Sequence, residues 1–215
     1  MGNKITTQQS AYLGTPTVQQ TGEKNVHVNN QAGGIVTINV HLPQRDTGGS
    51  AEEMMVIQSF SKSYYQLLVT CEDDVFINNV ITVSADRALS CHLVPPEIFE
   101  RCSSLSDEGV EELKTFQALI CRENTELKGN TDPNQKAIYA YIRRVQKVGR
   151  NIKIAFHPIM PLLQIQMCNK KNAIYFDLNM DCAITDLNYS AWSVHKVNLF
   201  EAFDEAGLAN MPRPL

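Results

Sequence analysis

The chain has 215 residues, 43% of them apolar and 20% charged, which is enough apolar material for a buried core and too much for a wholly disordered chain. No apolar run approaches the roughly 18 residues of a membrane-spanning helix. The first ten residues lack the charged flank and apolar stretch of an export signal, so a cytoplasmic protein is expected, without contact to a membrane.

Residues 1–24 read as a flexible lead, rich in Gln and Thr and poor in apolar groups. Met1-Gly2 with Thr6 fits a short acylation pattern, which chance explains as well. From 25 to 43 the character changes to a period of two. In Val26-His27-Val28 and again in Val36-Thr37-Ile38-Asn39-Val40, even positions are apolar and odd positions polar. That alternation predicts two strands joined across the Gly-bearing stretch 29–34, a polar β-ribbon with one apolar face. Such a ribbon is marginal alone. It either packs on its own body as an edge hairpin, or pairs with another copy or another protein through Val26, Val28, Gln31, Val36, Ile38 and Val40. The run from Val26 to Val36 resembles the short amyloid-signalling motifs that couple bacterial immune sensors to effectors. That resemblance implies recruitment of a partner or self-association.

A Gly-rich polar linker at 44–50 separates the ribbon from a body expected to run from 51 to 215. Tyr64 to Thr70 has the aromatic and branched content of a strand, and Val75 to Ser84, after the acidic turn Glu72-Asp73-Asp74, is expected to be its partner. Ser106-Asp107-Glu108 opens a helix with negative charge in its first turn.

The charge of −4 conceals a segregation that begins here. From Glu97 to Glu126 eight acidic residues face three basic ones, whereas from Pro133 to Phe176 there are eight basic residues and no acidic one. Such a block suits a phosphate backbone or an acidic partner; alternatively, acidic and basic segments neutralise each other within one fold. Asp132-Pro133-Asn134-Gln135 carries the signals of a helix start, and Ile138, Tyr141, Ile142, Val145 and Val148 make a helical stripe, so local signals favour a helix over 133–148. A hairpin turning at 149–151 also satisfies the pattern, because Asn151 to Phe156 alternates as a strand does. In the strand version Tyr139, Tyr141, Arg143 and Lys147 share one face and, with Arg144, Arg150 and Lys153, form a strip suited to stacking on single-stranded nucleic acid.

Pro158 and Pro161 punctuate the chain, Ala173 to Phe176 is strand-like, the segment around Trp192 partly alternates, and Phe200 to Leu208 reads as a short helix stopped by Gly207. The closing run from Ser190 to Phe200 resembles the end of small, usually non-catalytic modules that accompany effectors in prokaryotic conflict (anti-phage defence) systems. No catalytic residue follows from that likeness.

The six cysteines form no C-x-x-C pair and are expected to be free thiols; Cys91, His92 and Cys102 lack the spacing of a zinc site. A nucleophile at Cys121 with His157 and Asn179 or Asp177, and a base at His195 beside Trp192, are combinations that composition alone supplies. Glu126-Leu127-Lys128 with Asp107 or Glu112 spells a metal-dependent phosphodiester-cleaving set, but in a polar, turn-like setting; Asp177 and Asp181 lack a basic partner nearby. No catalytic residue, metal or cofactor is assigned. The expectation is an α+β protein, a mixed body of short antiparallel strands with two or three helices behind a polar ribbon. It is expected to act as a non-enzymatic interaction or adaptor protein, with a metal-dependent nuclease and a non-catalytic nucleic-acid binder as alternatives.

Overall fold

The structure, a computed structural model, describes residues 6–7, 18–19, 26–31, 35–40, 51–208 and 210–212. The expected linker at 44–50, the ribbon's turn at 32–34 and most of the lead lie outside the described residues. The chain divides into two compact units, Met1–Ala51 and Glu52–Leu215. In the first, the short strands β1 (Thr6–Thr7) and β2 (Val18–Gln19) pair antiparallel, as do β3 (Val26–Gln31) and β4 (Ile35–Val40). The register of the second pair sets Val26 against Val40 and Val28 against Ile38, so the apolar positions of the alternation are cross-strand partners.

The second unit is α+β. Helix α1 (Ala51–Ser59) leads into β5 (Tyr65–Thr70), followed by the single turn α2 (Val75–Asn78), β6 (Val80–Ser84), α3 (Pro96–Cys102), α4 (Asp107–Lys114) and β7 (Gln117–Arg122). Two long strands, β8 (Lys136–Val148) and β9 (Asn151–Leu163), then form a hairpin, and α5 (Ile165–Cys168), β10 (Ala191–His195) and α6 (Leu199–Glu205) complete the unit. The sheet has the order β10-β5-β7-β8-β9-β6, antiparallel except for the parallel pair β5 and β7. β6 curls back to approach β5 and β10, and the curl encloses one core cluster that includes Leu68, Ile81, Ile120, Ile154 and Trp192, closed by Ile98 and Leu113 of α3 and α4. The opposite face packs Leu67, Leu119 and Tyr139 against Met167, Phe176 and Phe203.

Several elements depart from the sequence expectations, each for a physical reason. Residues 136–148 are a strand, not a helix. Asp132 does cap a turn, its carboxylate accepting from the Asn134 N–H at 2.8 Å, but Gln135 turns its amide away, to the Arg122 carbonyl at 3.0 Å. The helical stripe is the trace of a bulge. Ile138, Ala140 and Ile142 alternate into the first cluster, Arg143 is an extra residue in the ladder, and the next inward residue is therefore Val145.

Residues 75–84 are not a single strand beside β5. Val75–Asn78 make a helical turn, Asn79 adopts a left-handed conformation (φ 54°), and β6 pairs with β9 instead. Ala173–Phe176 is a 3-10 turn; the Asn169 side chain binds the Ile165 carbonyl and accepts from the N–H groups of Lys171 and Asn172, which holds this backbone in local turns. Pro158 and Pro161 sit inside β9, where β6 no longer pairs with it and where the ladder slips beside Ile159, so the missing N–H groups cost little.

Candidate functional site

The acid-free block folds mainly as the β8–β9 hairpin, turned at Gly149 with φ 62°. β7 pairs with β8 only from Ile138 to Tyr141, so the last turn-ward residues of β8 have β9 alone as a neighbour and an open edge on the other side. On the outer face of the hairpin, register builds three rows: Arg144, Ala155 and Val80; Gln146, Lys153 and Thr82; Val148, Asn151 and Ser84. None of these residues belongs to a core cluster. Among the described residues of this unit nothing covers this end of the outer face, and Arg143, Arg144, Arg150 and Lys153 are all exposed on it or at its rim.

The acidic and basic segments do not neutralise one another there. Among the described residues, the acidic side chains pair with Arg101, Lys114, Arg122, Lys196 and His195, all outside the acid-free block, and none pairs with Arg143, Arg144, Arg150 or Lys153. The same cations guard the open β8 edge against addition of a foreign strand.

The aromatic and basic strip expected along one face of β8 is not continuous. Tyr139 lies wholly in the core, its phenol donating to Gln117 Oε1 at 3.0 Å and its ring edge-on to Phe203. Tyr141 is half-buried, 5.9 Å from the Phe60 ring and 5.0 Å from that of His157. Beyond the Arg143 bulge the alternation reverses, and Lys147 emerges on the opposite face, its Nζ donating to the Ser104 carbonyl at 2.6 Å. Arg143, Arg144, Arg150 and Lys153 remain together; Tyr139 and Lys147 do not join them. The ribbon positions Val26, Val28, Val36, Ile38 and Val40 lie on β3 and β4, and Gln31 pairs with Ile35.

The other candidates from the sequence separate. Cys121 is buried, and burial pushes its thiol well above the usual range, away from a reactive thiolate. Glu112 stands before β7 in an ion pair with Arg101, and Glu126 follows the other end of that strand, so the two carboxylates do not converge. Among the described residues no three His, Cys, Asp or Glu side chains form a metal site. A cleft of about 510 Å³ at the carboxyl ends of the parallel strands β5 and β7 carries both signs of charge, lined by Arg122 and Lys136 but also by Asp73, Glu123 and Asp132.

A second cavity, of about 280 Å³, holds a group that the sequence reading missed. Ser193 and His195, two apart on β10, present side chains to one face, and Ser193 Oγ lies 3.0 Å from His195 Nε2. His195 Nδ1 lies 3.3 Å from Asp177 Oδ2. The hydrogen bond from His195, before the nearby charge, holds the Asp177 carboxyl below its ordinary range. A Ser and His at spacing two in an alternating segment was the available signal; Asp177 joins them only through the 3-10 turn.

The described residues thus define an α+β fold with a basic β-hairpin. No family model, curated protein or solved structure matches the chain.

Proposed function

We propose that this chain is an interaction protein that binds single-stranded nucleic acid along the outer face of the β8–β9 hairpin. The observation that carries the reading is the set of Arg143, Arg144, Arg150 and Lys153, exposed together on one hairpin and without a carboxylate partner among the described residues. Cations already paired within a fold gain little from phosphate, because the new bond replaces an old one. Unpaired cations on an uncovered sheet face release counterions from a strand laid across them. Its compartment on this reading is the cytoplasm, where exposed thiols such as Cys71, Cys91 and Cys182 stay reduced. Binding of a fluorescent 20-nucleotide single strand, followed by anisotropy, tests it. Joint replacement of Arg143, Arg144, Arg150 and Lys153 by Ala is expected to weaken binding on the order of a hundredfold at low salt. A parent chain that does not bind, or a variant that binds as the parent does, would reject the proposal.

A second role, recruitment of a partner or another copy through the ribbon, draws on the register that sets Val28 against Ile38. Sedimentation of the full chain carrying Val28→Arg and Ile38→Arg is expected to show loss of concentration-dependent association. Unchanged sedimentation would rule that role out.

A further inference from the structure

The cavity lined by Ser193, His195 and Asp177 is not needed for nucleic-acid binding, and its geometry carries a separate activity. Asp177 is a carboxylate, acceptor only, so the His195 nitrogen facing it, Nδ1, bears the hydrogen. Nε2 then keeps its lone pair, and at 3.0 Å it is the nearer acceptor for the Ser193 hydroxyl, whose other acceptor is the Leu67 carbonyl at 3.4 Å. This is the tautomer in which an imidazole serves a serine nucleophile as base.

Both partners are held from behind by one residue. Tyr65, fully buried on β5, stacks its ring on the His195 imidazole at 5.1 Å and 17°, and its phenol donates to the Phe176 carbonyl at 2.6 Å. Phe176 immediately precedes Asp177, which itself sits in the left-handed region at φ 53°, a conformation that Asp adopts more readily than most residues with a Cβ. One side chain therefore fixes the imidazole plane and the turn that carries the carboxylate. Val69, Leu93, Pro95 and Tyr189 line the same cavity. Burial, with Asp186 nearby, raises the Tyr189 phenol above its ordinary range, so it stays a hydrogen-bond donor.

We propose that Ser193, His195 and Asp177 form a hydrolytic site for short-chain carboxylic esters, with Ser193 as nucleophile, His195 as general base and acid, and Asp177 and Tyr65 as positioning residues. Ser193 Oγ bonds to the ester carbonyl carbon while its proton passes to His195 Nε2. The tetrahedral adduct collapses by breaking the carbon–oxygen bond to the alcohol, which leaves with the proton from Nε2. Water, deprotonated by the same nitrogen, then attacks the acyl-serine, and collapse releases the carboxylic acid and restores the Ser193 hydroxyl. A cavity of about 280 Å³ admits a small acyl group and excludes a long chain.

The test uses the full chain with a serine-directed fluorophosphonate and with p-nitrophenyl acetate. Peptide mass mapping is expected to place the phosphonyl group on Ser193, and Ser193→Ala is expected to abolish both labelling and ester turnover. Asp177 is exposed, and Asp177→Asn tests positioning without opening the core. It is expected to lower kcat at least tenfold with KM and melting temperature unchanged, because the imidazole loses the carboxylate that orients it. Absence of label from Ser193, ester turnover that survives Ser193→Ala, or an Asp177→Asn enzyme with the parent kcat overturns the proposal.

Discussion

Trp192 is the chain's single tryptophan, and its surroundings show how one polar side chain can hold several elements. Its indole N–H donates to Gln66 Oε1 at 3.0 Å, while Gln66 Nε2 donates to the carbonyls of Leu113 and Phe116 at 2.8 and 3.2 Å. Gln66 has no exposed surface and joins β10, β5 and the end of α4. Its replacement by Leu strands the indole and two carbonyls away from water, at a cost of about 2–4 kcal/mol. Urea unfolding measures this, and a loss of only a few tenths of a kcal/mol would refute it. At Glu97 the hydrogen bond from Lys196, followed by one from the backbone and then the bond from Tyr64, lowers the carboxyl from 4.5 to about 2. A carboxyl with a lowered folded pKa binds protons more weakly folded than unfolded. Its contribution to stability is therefore complete above about 4.5 and drains away as the pH falls toward 2. Glu97→Gln should lower stability at neutral pH and flatten the acid limb of the stability curve over that window. An identical acid limb in urea titrations would contradict the assignment. Trp192 announces itself in the sequence as a core residue, but nothing marks Gln66, a polar residue inside an otherwise apolar strand, as its partner.

At the scale of elements, the hardest segment to read was β8, and the reason is geometric. A bulge inserts one residue into an alternating pattern, so inward positions separated by two become separated by three at one point. Ile138, Ile142 and Val145 then carry the spacing of a helix face, although each points inward from a strand. Only pairing with β7 and β9 resolves the period, and nothing in the periodicity of β8 itself records that pairing. β5, α4 and α6 were legible because their signals are local: buried aliphatics for the first, the Ser106 cap accepting from the Gly109 N–H at 3.2 Å for the second, and Gly207 at φ 74° after the third. Gly109 also marks where α4 crosses α3. A Cβ there would lie 2.7 Å from the Arg101 carbonyl oxygen and 3.1 Å from Cys102 Cα. Gly109→Ala should therefore lower the melting temperature, although Ala favours a helix by about 1 kcal/mol over Gly. A raised melting temperature would show that the two helices separate freely.

For the whole molecule, the net charge of −4 describes neither end of its surface. Acidic residues that precede the acid-free block are paired with cations that also precede it, Glu112 with Arg101, Glu111 with Lys114 and Asp73 with Arg122. Arg143, Arg144, Arg150 and Lys153 of the hairpin have no carboxylate partner among the described residues. Sequence composition made the segregation visible but not its outcome, since neutralisation and exposure both fit the same charge count. The Ser193 group was hidden in a similar way, because Asp177 reaches His195 only after a turn that no periodicity foretells. The most direct measurement is the dependence of single-strand affinity on salt, taken for the parent and for the chain with Arg143, Arg144, Arg150 and Lys153 replaced by Ala. Phosphates neutralised by these side chains predict a parent slope of log affinity against log salt near about −3, collapsing toward zero in the variant. A parent slope near zero, or the same steep slope in both chains, would contradict the account.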